Sequence, residues 1–228
     1  MKAVLFDLFG TLVPNLPPEL WTESCRLISG TLGIPEDEYT RIWSEKFEDR
    51  MTGKILDGPE QFDDILQKLD HQVSDEIKSA AYQIHRDLLA RALQPKHDAV
   101  QTLTQLRDNG LLLALVTDCS SSAPEILDQT PLGDFFPHKS SSAHLGTRKP
   151  DPKMYQHVLN LLEIDAADAL YVGDGNSHEL PGAKSMGMTT VWVDNGIQQY
   201  WRERYDPSAD HTIQDLKELI TLLDKFNA

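Results

Sequence analysis

Positive charge is scarce in this chain: 21 lysines and arginines stand against 36 aspartates and glutamates, a net of −15 over 228 residues. That balance repels phosphate backbones and anionic lipid, which argues against nucleic-acid and membrane-surface roles. An anionic small-molecule substrate would need a local positive cluster or a metal. Cysteine is scarcer still. Cys25 and Cys119 are the whole complement; they are far apart, each within a patterned stretch, and fit a reducing compartment. No run approaches the ~18 apolar residues of a membrane span. The apolar N-terminus stops at Phe6 on the acid Asp7, with no small-residue cleavage site after a long apolar stretch. The expectation is a cytoplasmic protein without membrane or nucleic-acid partners, its oligomeric state open.

What is present begins with Lys2-Ala3-Val4-Leu5-Phe6-Asp7-Leu8-Phe9-Gly10-Thr11. Four apolar residues ending on an acid, then glycine and threonine, predict a buried strand that delivers the Asp7 carboxylate to its C-terminal end. Parallel α/β sheets place their ligands just beyond such ends. An acid in that position also starts turns for purely local reasons.

Pro14, Pro17 and Pro18 then break the strand. Residues 19–32, 36–51, 60–69 and 74–93 carry helical spacing, with Gly33 suited to a left-handed cap and Ser74 to an N-cap. These four helices predict an inserted bundle at 14–95. Trp21, Tyr39 and Trp43 fall at helical spacing inside it and are taken as its core. Beyond Pro95 the period alternates as βαβ units require. A helix over 97–109 is followed by a strand over 111–116 ending in Thr117-Asp118. Ser120-Ser121-Ser122 and Pro124 open the next helix, and a loop containing Ser140-Ser141-Ser142 follows. Asp151 and Pro152 start a helix to Leu162; a strand over 169–172 ends in Gly173-Asp174-Gly175. A helix over 179–186, a strand over 189–193 and a closing amphipathic helix over 213–226 complete the chain. The predicted fold is α/β, a doubly wound parallel sheet in a Rossmann-like core made of residues 1–13 and 96–228. In such a sheet Asp7, Thr117 and Asp174 share one edge although 167 positions separate the outer pair.

Asp7-Leu8-Phe9-Gly10-Thr11 after a strand, Thr117 ending the next, Lys149-Pro150 before a helix, and Gly173-Asp174 followed by Glu179, Gly182-Ala183 and Gly187-Met188 together resemble the haloacid dehalogenase-like hydrolase superfamily. The helical insertion after the first strand resembles its cap. The resemblance implies Asp7 as a nucleophile holding a covalent intermediate. It implies Thr117 as a donor to a substrate oxygen, and Lys149 as the cation that offsets the transferring group. The substrate would lie against Phe9, Gly10, Thr11 and Asp118. Mg²⁺ would be held by Asp7, the Phe9 backbone carbonyl and Asp174, with Glu179 ligating directly or through water.

Phe9 departs from the superfamily's phosphatases, which carry at that position the aspartate that protonates the leaving group and activates water. A phenyl ring does neither, and such assistance is worth ~10²–10⁴ in rate. Haloacid dehalogenases also lack that acid and tend to have an aromatic there, but they tend to lack the Gly-Asp that this chain keeps at Gly173-Asp174. A second departure is Asp118, where asparagine is common. The favoured expectation is a Mg²⁺-dependent phosphatase of small phosphorylated metabolites working through an aspartyl-phosphate on Asp7. The alternatives are a metal-independent 2-haloacid dehalogenase using the same nucleophile and a weakly catalytic ligand- or partner-binding member. Lys54 and His178 are side candidates, as an amine nucleophile and a substitute base, each with solvation as the plainer reading.

Overall fold

The computed structural model describes residues 1–194, 196 and 206–226. Its sheet has six parallel strands: β1 (Ala3–Phe6), β2 (Leu112–Thr117), β3 (His138–Ser141), β4 (Ala169–Gly173), β5 (Thr189–Val193) and β6 (His211–Ile213). Their order is β3-β2-β1-β4-β5-β6. All four residues of β1 are buried, because β1 sits between β2 and β4, with Phe6 opposite Leu115 on one side and Val172 on the other. Alternation then feeds two cores. Val4, Phe6, Leu113, Leu115, Leu170 and Val172 enter one apolar cluster, and Ala3, Leu5, Ala114, Val116, Ala169 and Tyr171 enter the other. Each large apolar side chain fully buried this way stabilises the fold by about 1.5–3 kcal/mol. The first cluster is closed by the helices Ala99–Asp108 and Glu218–Phe226, the second by Pro152–Leu162 and Glu179–Ser185. Helices on both faces of an all-parallel sheet make the doubly wound α/β fold expected from the sequence.

Between β1 and β2 the chain forms α1 (Pro18–Leu32), α2 (Glu36–Glu45), α3 (Phe47–Met51), a 3₁₀ turn over Pro59–Phe62, α4 (Asp63–Lys68) and α5 (Asp75–Ala92). Gly33 closes α1 at φ +71°, and the Ser74 hydroxyl accepts from the Ile77 amide at the start of α5. These helices share an apolar cluster that includes Ile28, Tyr39, Trp43, Phe62 and Ala81. The helix expected over 36–51 is broken at Lys46, whose φ and ψ of −96° and 12° leave the helical region and turn α3 away from α2. The helix expected over 60–69 begins as the 3₁₀ turn.

Two other expectations are corrected. Ser140 and Ser141 lie in β3, not in a loop; β3 pairs only with β2, on the sheet's edge. The closing helix starts at Glu218, because residues 211–213 extend the sheet as β6, paired with β5. Residues 195, 197–205 and 227–228 of the expected core segment lie outside the described residues. Among the described residues no helix is long and apolar enough to cross a membrane.

Candidate active site

The strand order reverses direction between β1 and β4, and ligands of open α/β sheets bind at such a switch point. Asp7 and Asp174 leave these two strands side by side, and Thr117 ends β2 next to them. Asp7 is 5% exposed. One carboxylate oxygen accepts from Lys149 Nζ at 2.5 Å, the other from the Thr11 hydroxyl at 3.1 Å. Lys149 arrives from the turn before the helix Pro152–Leu162, where the Asp151 side chain caps by accepting from the Lys153 amide.

Lys149 Nζ lies at the same time 2.6 Å from Glu179 Oε2. Burial by itself would lower the Lys149 pKa; the charges of Asp7, Glu179 and Asp118 outweigh it and hold the ammonium well above its usual range. Glu179 is fully buried at the first turn of the helix Glu179–Ser185. Its Oε2 also accepts from the Tyr171 hydroxyl at 2.9 Å, and its Oε1 from the Gly175 amide at 3.0 Å. Burial, then the charge of Asp7, pushes its carboxyl well up. Burial and the Asp7 charge likewise raise Asp174 from 3.8 to about 6, against the pull of the Asn176 amide.

Carboxylate oxygens of Asp7, Asp174 and Glu179 all lie within 4.8 Å of one another. Three acids around one ammonium leave a surplus of negative charge that a hard divalent cation suits. All three carboxylates accept hydrogen bonds at both oxygens; Glu179 is wholly buried, whereas Asp7 and Asp174 keep a little exposure and are the more accessible donors. The Phe9 carbonyl, the third expected ligand, accepts no backbone amide among the described residues. The residues present therefore fit Mg²⁺. Gly10 lets this happen: at φ +84° it passes so close to Asp174 that a Cβ there would sit 2.0 Å from Oδ2.

The haloacid dehalogenase-like hydrolase model matches residues 1–187. The chain belongs to this family. The hydrolase is 30% identical to the glyceraldehyde 3-phosphate phosphatase of Pyrococcus abyssi, over 100% of this chain and 95% of that protein. Among solved structures it resembles a HAD phosphatase from Thermococcus onnurineus, with TM-score 0.69, 29% identity and 98% of both chains covered. It also shares the fold of a 2-haloacid dehalogenase from Pseudomonas syringae pv. Tomato DC3000, with TM-score 0.73, 24% identity and 99% of both chains covered.

Three expected substrate contacts of the hydrolase meet a different geometry. The Thr11 hydroxyl is buried against Asp7. Asp118 turns from the site, its oxygens accepting from Arg148 Nε at 3.2 Å and the Lys149 amide at 3.0 Å, which answers how an acid is tolerated beside an anion site. The Phe9 ring packs between the sheet core and the cluster of Leu20, Leu88 and Ala92 on α1 and α5. Thr117, by contrast, keeps a buried hydroxyl without a hydrogen-bond partner. Lys54 is a surface side chain 3.4 Å from Asp49.

Sequence reasoning missed Lys96, Asn15 and Asp57. Lys96 Nζ donates to the Gly10 carbonyl; burial lowers its pKa against the opposing charges of Asp174, Asp98 and Asp7. Asn15 Nδ2 reaches Asp174 at 3.5 Å. Asp57 Oδ2 accepts from the Ser122 amide at 2.8 Å and hydroxyl at 2.6 Å, tying the segment after α3 to the loop after β2. No motif announces any of the three; only Pro95, just before Lys96, marks where the chain rejoins the core.

Proposed function

We propose that this hydrolase is a Mg²⁺-dependent phosphatase of small anionic phosphate esters, with Asp7 as nucleophile. The observation that carries the reading is the pairing of Asp7 with Asp174 on adjacent strand ends, a concentration of acid that Lys149 alone does not neutralise. The phosphatase named among its relatives supports the same class. In the first step an Asp7 oxygen attacks phosphorus, the ester P–O bond breaks, and the departing alkoxide takes a proton from solvent water. Water then attacks the aspartyl-phosphate and releases inorganic phosphate. Asp7, Asp174 and the Phe9 carbonyl would hold Mg²⁺, which when bound would supply positive charge to offset the phosphoryl oxygens. Lys149 keeps one Asp7 oxygen oriented, Thr11 the other, and the unpaired Thr117 hydroxyl donates to a phosphoryl oxygen. Glu179 acts through Lys149, whose ammonium it fixes, and not as a direct ligand.

Residues 14–95 serve as a cap over the core formed by 1–13 and 96–228, covering the site and excluding water. Both cysteines are free and buried, in keeping with a reducing, cytoplasmic setting. Phe9 supplies no proton, so turnover ~10²–10⁴ below that of an acid-assisted site is expected. The same residue favours the second reading, in which Asp7 displaces halide from a 2-haloacid without metal. Calorimetric titration with Mg²⁺ separates the two. The phosphatase reading requires Mg²⁺ binding that Asp174→Asn weakens at least tenfold; no binding to the unaltered protein would favour the dehalogenase.

A further inference from the structure

Lys149 is held at both ends. Its Nζ reaches Asp7 at 2.5 Å and Glu179 at 2.6 Å, and its backbone amide donates to Asp118 Oδ1 at 3.0 Å. The backbone anchor is itself supported. Asp118 Oδ2 accepts from Arg148 Nε at 3.2 Å, and Arg148 Nη1 pairs with Glu48 at the start of α3. The guanidinium also lies 5.0 Å from the centre of the Phe47 ring, one residue earlier on the same helix, within the range of cation–π attraction. Arg148 thus spans an acid of the sheet domain and two side chains of the inserted helices, with only 11% of its side chain exposed. Just past α3, Gly53 at φ +70° passes so close to Ala143 that a Cβ would sit 2.0 Å from the Ala143 carbonyl oxygen. The end of α3 therefore rests on the short helix Ser142–Leu145, which leads into the Arg148-Lys149 turn.

We infer that Arg148 is a positioning residue, which makes the alignment of Lys149 against Asp7 depend on how α3 sits on the sheet domain. The inference rests on the reading of Asp7 as nucleophile with Lys149 beside it. Arginine suits the place. Its planar guanidinium presents several donors in a fixed fork and stacks on a ring while it bonds two acids, whereas lysine offers a point charge. With Glu48 and Phe47 in place, one rotamer is selected from many and Nε stays on Asp118. Without Glu48 the guanidinium regains other rotamers, and Asp118 loses the partner that steadies it under the Lys149 amide. A misplacement of about 1 Å near a reacting group costs up to ~10² in rate, so a small shift of this turn is felt at the nucleophile. Glu48 is also what separates this role from a merely structural one. Its side chain is 63% exposed, and exposed ion pairs add little to stability, so its loss should matter to turnover and hardly at all to folding.

The test is Glu48→Gln in the full chain, a change on the far side of Arg148 from the nucleophile. Residue-resolved amide exchange should show the Lys149 amide exchanging at least about fivefold faster than in the unaltered protein, while the amide of Lys153, capped by Asp151 at 2.9 Å, keeps its rate and the melting temperature moves by less than about 2 °C. With Mg²⁺ and the best substrate from a panel of small phosphate esters, kcat should fall at least about fivefold with KM within about twofold. Adding Glu48→Gln to Arg148→Met should cost nothing beyond Arg148→Met alone, because the two act along one line. An unchanged Lys149 exchange rate, a loss confined to KM, an unchanged kcat or additive losses in the double variant each overturn the inference. Should Arg148→Met fail to fold, Glu48→Gln carries both readouts by itself. If the unaltered protein turns over no phosphate ester, the phosphatase reading has failed separately. Amide exchange then decides alone: a faster Lys149 amide in Glu48→Gln sustains the link through Arg148, and an unchanged one overturns it.

Discussion

Replacing Asp57 with asparagine removes one negative charge from the junction between the helices of 18–92 and the sheet. The Asp57 side chain is 1% exposed, with His85 Nε2 3.6 Å from Oδ1 and the Ser122 amide and hydroxyl on Oδ2. Burial by itself would raise its pKa; hydrogen bonding and attraction from His85, then the hydroxyls of Ser120 and Ser122, win and hold the carboxyl well below the usual range. A carboxyl depressed in the folded state contributes stability that is present above its unfolded pKa, ~3.9, and is lost as the pH falls toward the folded value. Each hydrogen bond to a buried charge is worth about 1.5–3 kcal/mol. Asparagine keeps one acceptor oxygen for the Ser122 amide and loses the rest. Asp57→Asn should therefore cost about 2–3 kcal/mol at pH 7, or about 4–12 °C in Tm for a chain of this size. The penalty should shrink at pH 3, below the unfolded pKa, where the unfolded chain takes up a proton at Asp57 while the folded carboxyl still keeps its charge. Urea unfolding of both proteins at pH 7 and pH 3 measures it. A loss below about 0.5 kcal/mol at pH 7, or the same loss at both pH values, would refute the argument.

Lys149→Met strands Asp7 and Glu179 without their shared cation and should cost about 3–5 kcal/mol of metal-free stability at pH 7, read by denaturation, together with at least a hundredfold in turnover. Gly10→Ala forces a Cβ to 2.0 Å from Asp174 Oδ2 at φ +84°; it should destabilise the fold by more than about 1 kcal/mol and weaken Mg²⁺ binding in calorimetry. Phe9→Asp should raise turnover of alkyl phosphates by up to ~10² while leaving activated aryl phosphates nearly unchanged. Its stability should fall as the ring leaves the cluster of Leu20, Leu88 and Ala92; equal or lower activity on both ester types in a folded variant would count against an impaired phosphatase.

The sheet was legible where burial on both faces writes itself as an apolar run. Ala3–Phe6 and Ala169–Gly173 are such runs, flanked on both sides by other strands. His138–Ser141 and His211–Ile213 are not: each lies on an edge of the sheet, pairs on one side only and carries polar residues. The break at Lys46 carries no glycine or proline, so helical spacing ran through it. Within the site, residues at strand ends were readable because chain direction alone brings Asp7, Thr117 and Asp174 together. Side-chain direction was not, so Thr11 and Asp118 seemed to face substrate although one holds Asp7 and the other holds the Arg148-Lys149 turn. Arg50 and His85 meet Trp43 only through packing among the helices of 18–92, Asp57 meets Ser122 only where those helices join the core, and Lys96 meets Gly10 only where the chain returns to the first strand; no local pattern encodes any of these.

Phosphate release from a panel of small phosphate esters, measured with and without Mg²⁺ for the unaltered protein and for Asp7→Asn, tests the central claim most directly. The account predicts release that depends on Mg²⁺ and falls at least ~10³-fold in Asp7→Asn, about 4 kcal/mol of lost transition-state stabilisation, with the fold intact. Metal-independent halide release from 2-haloacids with no phosphate release, or Asp7→Asn activity within tenfold of the unaltered protein, would contradict it.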